Sequence, residues 1–213
     1  MVSLIITTYN YANYVERAIR SAMDQSLNKD QYEIIVVNDA STDHTAAILE
    51  NYTEQIRIYN LTENLGLAGA RNFGIKKATG QFVVFLDADD YIHRDLLRMQ
   101  KLFLEENNAL DAVSTDYYLV DERGKHLQHL NAQEHPIACG IMFRKDFLYN
   151  VGLYDEGFRA REEEDLRIRW SAQYNIYNII VPLYRYRMHD SNLTKDSDAM
   201  QKHLEKLQNK HAS

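Results

Sequence analysis

Three runs of the chain, Val2 to Thr8, Glu33 to Asn38 and Phe82 to Leu86, are apolar at most positions and stop abruptly in polar clusters. A strand wetted on one face alternates apolar and polar residues, so a nearly continuous apolar run marks a strand covered on both faces. Helical patterns lie between these runs. They cover Tyr14 to about Gln25, a segment capped by Ser41-Thr42-Asp43 and reaching about Thr53, and a stretch within Gly66 to Lys77. Ile56 to Asn60 adds one more expected strand. Strands and helices in this alternation predict an α/β fold with a mostly parallel central sheet and helices on both faces. The carboxyl ends of such strands share one edge, where open α/β sheets bind ligands.

Beyond Asp90 the rhythm changes. A helix is expected from about Arg94 to Glu106, a strand around Ala112 to Val120, and a polar turn at Asp121-Glu122-Arg123-Gly124. An apolar run follows at Ile137 to Phe143, then an acidic helix from Glu162 to about Gln173 and a last strand from Ile176 to Tyr186. This half predicts mixed pairing. In the tail from about Asp196, only Met200, Leu204 and Leu207 form a thin helical stripe. With no repeat, no linker and 2 prolines, residues 1–213 read as one domain. Its parts are a nucleotide-binding half to about residue 90, an acceptor half from about 91 to 195, and a polar tail over 196–213.

Composition narrows the function. A formal charge of -7 argues against a nucleic-acid binder, which needs a basic surface to meet phosphate. Cys139 is the single cysteine, so no internal disulfide forms and a cytoplasmic setting is expected. No apolar run reaches about 18 residues and the first residues lack the form of a signal peptide, which leaves peripheral membrane attachment open.

Three polar clusters close the buried strands: Thr7-Thr8-Tyr9-Asn10, Asn38-Asp39-Ala40-Ser41 and Asp87-Ala88-Asp89-Asp90. Carboxylates at a strand end suit a hard divalent cation, Mn2+ or Mg2+, that shares its shell with water and phosphate. The same carboxylates also suit the start of a helix, Asp90 as a cap in particular. Asn64 to Arg71 adds a glycine-containing helix entrance and an arginine suited to phosphate. A nucleoside diphosphate fits the set.

With Ile5 to Asn10, Val37 to Asp43, Asn64 to Gly74 and Leu86 to Asp90 in this order, the sequence resembles the family 2 inverting glycosyltransferases of GT-A fold, to about Asn192. The resemblance implies a nucleotide-sugar donor, with UDP favoured, and a glycan or lipid-linked acceptor, as in surface polysaccharide synthesis. It places Thr7, Tyr9 and Asp39 at the nucleoside and Arg71 at the diphosphate. Asp87 would meet the ribose or the metal shell with Ala88 beside it, and Asp89 would be the main metal carboxylate. His189, after Tyr184-Arg185-Tyr186-Arg187, matches a histidine near the metal or diphosphate. In the acidic stretch Arg161 to Arg169, setting Asp165-Leu166 on the family's acidic-leucine pair puts Glu163 at the catalytic base, where aspartate is usual. Glu162 and Glu164 are the alternatives. Two other classes compete: a non-catalytic nucleotide- or carbohydrate-binding protein, and a sugar nucleotidyltransferase. The latter would need a glycine-rich basic loop after the first strand, which Asn10-Tyr11-Ala12-Asn13 is not.

Overall fold

The computed structural model describes residues 1–189 and 197–211, with side chains from 203 onward in the second segment. Strands β1 (Val2–Thr8), β2 (Tyr32–Asn38), β3 (Arg57–Asn60) and β4 (Phe82–Asp87) pair in parallel in the order β3-β2-β1-β4. Every residue of β1 is buried, as its mostly apolar run leads one to expect. Helices α1 (Val15–Met23), α2 (Thr45–Glu50) and α3 (Gly66–Lys77) make the connections. Close packing of α3 depends on Gly74, where an added Cβ would stand 2.6 Å from Ile5 Cγ2. Thr7 lies opposite both Val37 and Asp87, and Thr8 opposite Asn38, so the three polar clusters emerge at one level.

Mixed pairing extends the sheet. Strand β5 (Tyr91–Ile92), helix α4 (Leu96–Glu106), β6 (Ala112–Val120), β7 (His126–Leu130), β8 (Met142–Arg144), α5 (Lys145–Asn150), α6 (Glu162–Ser171) and β9 (Ile176–Arg187) follow in the chain. Across the sheet the order continues β4-β8-β6-β9-β5, and β7 pairs with the far end of β6. Helix α7 (Ser197–His211) closes the described chain. Leu207 of the expected tail stripe is buried and Leu204 half-buried, while the Met200 side chain and the expected boundary near 195 lie outside the described residues.

Two expectations change in the second half. The apolar run from Ile137 forms a strand only at its end, because Gly140 takes φ 72° and turns the chain before β8. Helix α4 starts at Leu96 behind Asp95, which separates Asp90 from any capping role. No helix among the described residues is long and apolar enough to cross a membrane.

Candidate active site

The loops after β1 and β2 are latched together. Asn10 takes φ 58°, a left-handed conformation that asparagine tolerates better than most residues. From there its Oδ1 accepts the Thr42 amide at 2.8 Å, while its own amide donates to Ser41 Oγ at 2.9 Å. Thr7 is buried beside them and Tyr9 leaves 45% of its surface exposed. Asp39 accepts the Leu65 and Gly66 amides at 2.7 and 2.9 Å, which satisfies two open donors at the entrance of α3. Burial raises the Asp39 carboxyl above its ordinary range, against the pull of those two amides. Each oxygen keeps a second lone pair.

The acidic turn after β4 divides its labour. Asp90 is buried and accepts the Tyr184 hydroxyl at 2.6 Å and the Arg187 amide at 2.8 Å, so it ties the turn to β9. Burial and the neighbouring Asp89 and Asp87 push its carboxyl well above the usual range. Because β5 and β9 pair beside the turn, the chain leaving β9 delivers His189 to Asp89, with Nε2 and Oδ2 2.8 Å apart. Tyr14 stacks on the His189 ring at 4.7 Å. Burial, then Asp87, raises the Asp89 carboxyl, a repulsion that a bound cation would relieve. One carboxylate and one imidazole fit a divalent ion whose remaining ligands come from water and phosphate. The described residues hold no group of three or more metal-ligating side chains able to form a closed site.

Arg71 departs from expectation. It is 1% exposed and spends its guanidinium on protein groups: Nη2 donates to Asp87 Oδ1 at 3.0 Å and Nη1 to Glu162 Oε1 at 3.1 Å. Nη2 also reaches Cys139 Sγ at 3.4 Å, and the Phe85 and Tyr154 rings lie within 5.7 and 5.3 Å. In this structure the guanidinium forms a buried clamp between the acidic turn and the start of α6. Glu162, 91 residues away, carried no sequence sign of this pairing.

Four carboxylates open α6, and three are engaged. Glu162 holds Arg71, Glu164 accepts from Arg161 at 2.6 Å, and buried Asp165 meets Arg169 at 2.7 Å and Lys210 at 2.6 Å. Burial pushes Glu162 up to about 7, although Arg71 opposes the shift. Among the described residues Glu163 has no hydrogen bond or ion pair, and it is half-buried beside Tyr154, Leu166 and Arg167.

A sequence profile described as Glycosyl transferase family 2 matches residues 3–167. The chain belongs to glycosyl transferase family 2. A glycosyltransferase of Rickettsia bellii is 33% identical over 206 residues, covering 91% of this chain and 29% of the relative. The poly(ribitol-phosphate) beta-N-acetylglucosaminyltransferase TarS of Staphylococcus aureus is 36% identical over 110 residues, covering 50% of this family member and 19% of TarS. This chain thus spans about a third or less of several curated relatives' lengths. Solved structures share its fold. TarS 1-349 of S. aureus with UDP-GlcNAc has a TM-score of 0.79 at 23% identity, over 92% of this chain and 61% of that one. The mannosyltransferase PcManGT of Pyrobaculum calidifontis, with GDP-Man and Mn2+, has a TM-score of 0.76 at 21% identity, over 98% and 63%. The fold is GT-A, as the strand order and the resemblance lead one to expect.

Proposed function

We propose that this family member transfers a sugar, with inversion, from a nucleotide-diphosphate donor to a hydroxyl of a glycan or lipid-linked acceptor in cell-surface polysaccharide synthesis. A UDP-sugar is the first donor to test, because TarS is described in complex with UDP-GlcNAc. The observation that carries the reading is the state of Glu163. Of the four acidic residues opening α6 it alone lacks a hydrogen bond or ion pair among the described residues, and its neighbour Glu162 is joined through Arg71 to Asp87.

The roles follow from position. Thr7 and Tyr9 would border the nucleoside, and Asp39 would accept a base N–H with the lone pairs its two amides leave over. Asp87, with Ala88 beside it, would face the ribose, held by Arg71 from behind. Asp89 and His189 would hold Mn2+ or Mg2+, whose chemistry is neutralising charge on the departing diphosphate. Glu163 would take the acceptor proton as the hydroxyl oxygen bonds to the anomeric carbon and the bond to phosphate breaks on the opposite face. Charge is balanced without an enzyme-bound sugar.

Glu163→Gln tests this directly. With a UDP-sugar, Mn2+ and a panel of glycan acceptors, turnover read as free UDP should fall about a hundredfold or more, with donor affinity little changed. Near-normal turnover in Glu163→Gln alongside a comparable loss in Glu164→Gln would move the base by one position. Release of pyrophosphate instead of UDP would overturn glycosyl transfer.

A further inference from the structure

A cavity of about 360 Å³ lies between the start of β6, α6 and the loop that leads into β8. This volume falls in the range of about 300–1,000 Å³ typical of small-ligand sites. Its lining holds one charged residue, Arg167, and no carboxylate. Hydroxyls and amides, among them Thr115, Gln133 and Ser171, stand over a floor that includes Ile137 and Cys139. Thr115 is 2% exposed, and its hydroxyl has no hydrogen-bond partner. A buried hydroxyl without a partner costs free energy unless a ligand or water satisfies it.

Arg167 is the second independent sign. It stands four residues after Glu163 on α6, so the two share a helix face and both border the small hollow beside the cavity. Yet no ion pair joins them. Arg167 donates only to the Ile137 carbonyl, at 3.0 Å, and has no carboxylate within 4 Å among the described residues. Glu163 and Glu164 favour its charge only from a longer range, and burial outweighs them. On the other wall, Cys139 separates the cavity from the Arg71 clamp. The cavity therefore adjoins the acceptor side of the site, away from the nucleoside loops.

We infer that this cavity is an acceptor subsite for an anionic sugar, with Arg167 binding its carboxylate or phosphate and Thr115 bonding one of its hydroxyls. The inference rests on the glycosyl-transfer reading for the word acceptor, but anion selectivity of the cavity can be measured without turnover. The whole chain is titrated by NMR with D-glucuronate, D-glucose 6-phosphate and D-glucose, and separately with UDP and Mn2+. At least one anionic sugar should bind roughly tenfold or more tighter than glucose, as one charge-assisted contact allows. Which one binds identifies the anion. Arg167→Gln should abolish that preference and Arg167→Lys retain part of it, while UDP affinity stays unchanged in both. Equal affinity for all three sugars in the wild type, or a preference that survives Arg167→Gln, overturns the inference. Should Arg167→Gln fail to fold, Ser171→Trp decides, since Ser171 is exposed at the cavity's mouth. Undiminished anion binding in that variant overturns the assignment, and its loss supports it. Failure of the wild type to bind any nucleotide, with the anion preference intact, would strike the glycosyl-transfer reading alone.

Discussion

Arg71 shows how far a single side chain's meaning depends on what folds around it. A lone arginine on a helix near a phosphate-sized loop suits a diphosphate, but here the guanidinium is buried near the Phe85 and Tyr154 rings and its charge is shared by Asp87 and Glu162. Removing one member of a buried ion pair strands the others in a low-dielectric setting, at a cost of about 3–5 kcal/mol. Arg71→Ala should lower stability by about that much in urea unfolding, with Arg71→Met less damaging because it refills the volume. A variant that unfolds like the wild type but loses UDP affinity would return Arg71 to direct phosphate recognition. The rest of the site divides along the same line. Thr7, Asp39, Asp87 and Asp89 could be read as candidates because each lies at or just past the end of a buried strand. The contacts of Glu162, Tyr184 and Tyr14 could not be read, because their partners lie up to 175 residues away and neither period nor composition encodes such pairings.

At the scale of elements, the pair β5 and β9 brings together Asp89 and His189, the residues proposed for the metal. Strand β5 has two residues, too few to persist alone, and Asp90 fastens it by accepting from Tyr184 and from the Arg187 amide. Tyr184→Phe deletes the 2.6 Å bond and leaves a buried carboxylate oxygen with one donor fewer. The expected cost is about 1–3 kcal/mol of stability in chemical denaturation, with Mn2+-dependent UDP affinity changing little. A large loss of Mn2+ dependence at unchanged stability would make Asp90 part of the metal site and not a strut. Buried strands were the legible elements: β1 spans Val2–Thr8 as read, and β4 runs one residue beyond the expected Leu86. Strand β7 escaped because its five residues are exposed or half-exposed, so no alternation marks them. Insertion of β8 between β4 and β6 is a long-range choice of partner that no local pattern records.

Across the whole molecule, Glu33 and Glu162 titrate in opposite directions. At the end of the sheet away from the site, burial works against Glu33, yet hydrogen bonds from Ser3, Thr79 and Arg57 overcome it and hold the carboxyl down to about 2. A depressed carboxyl contributes stability that is present above its unfolded value near 4.5 and lost as pH falls through about 2. At the site end, burial raises Asp39 and takes Glu162 to about 7. Between about 4.5 and 7 the unfolded chain has released the Glu162 proton while the folded chain still holds it. The native state then binds more protons, so stability falls as pH rises through that window. Without metal or nucleotide, the melting temperature should therefore be higher at pH 5 than at pH 8. For a chain of this size, the difference amounts to about 2–4 °C for each kcal/mol lost. Glu162→Gln cannot titrate and should flatten the slope, whatever it does to absolute stability by changing the contact with Arg71. Calorimetric scans of both proteins across this window check the sign: an apo wild type that melts higher at pH 8, or a mutant slope as steep as the wild type's, would remove Glu162 as the group that links proton release at the active site to the stability of the fold.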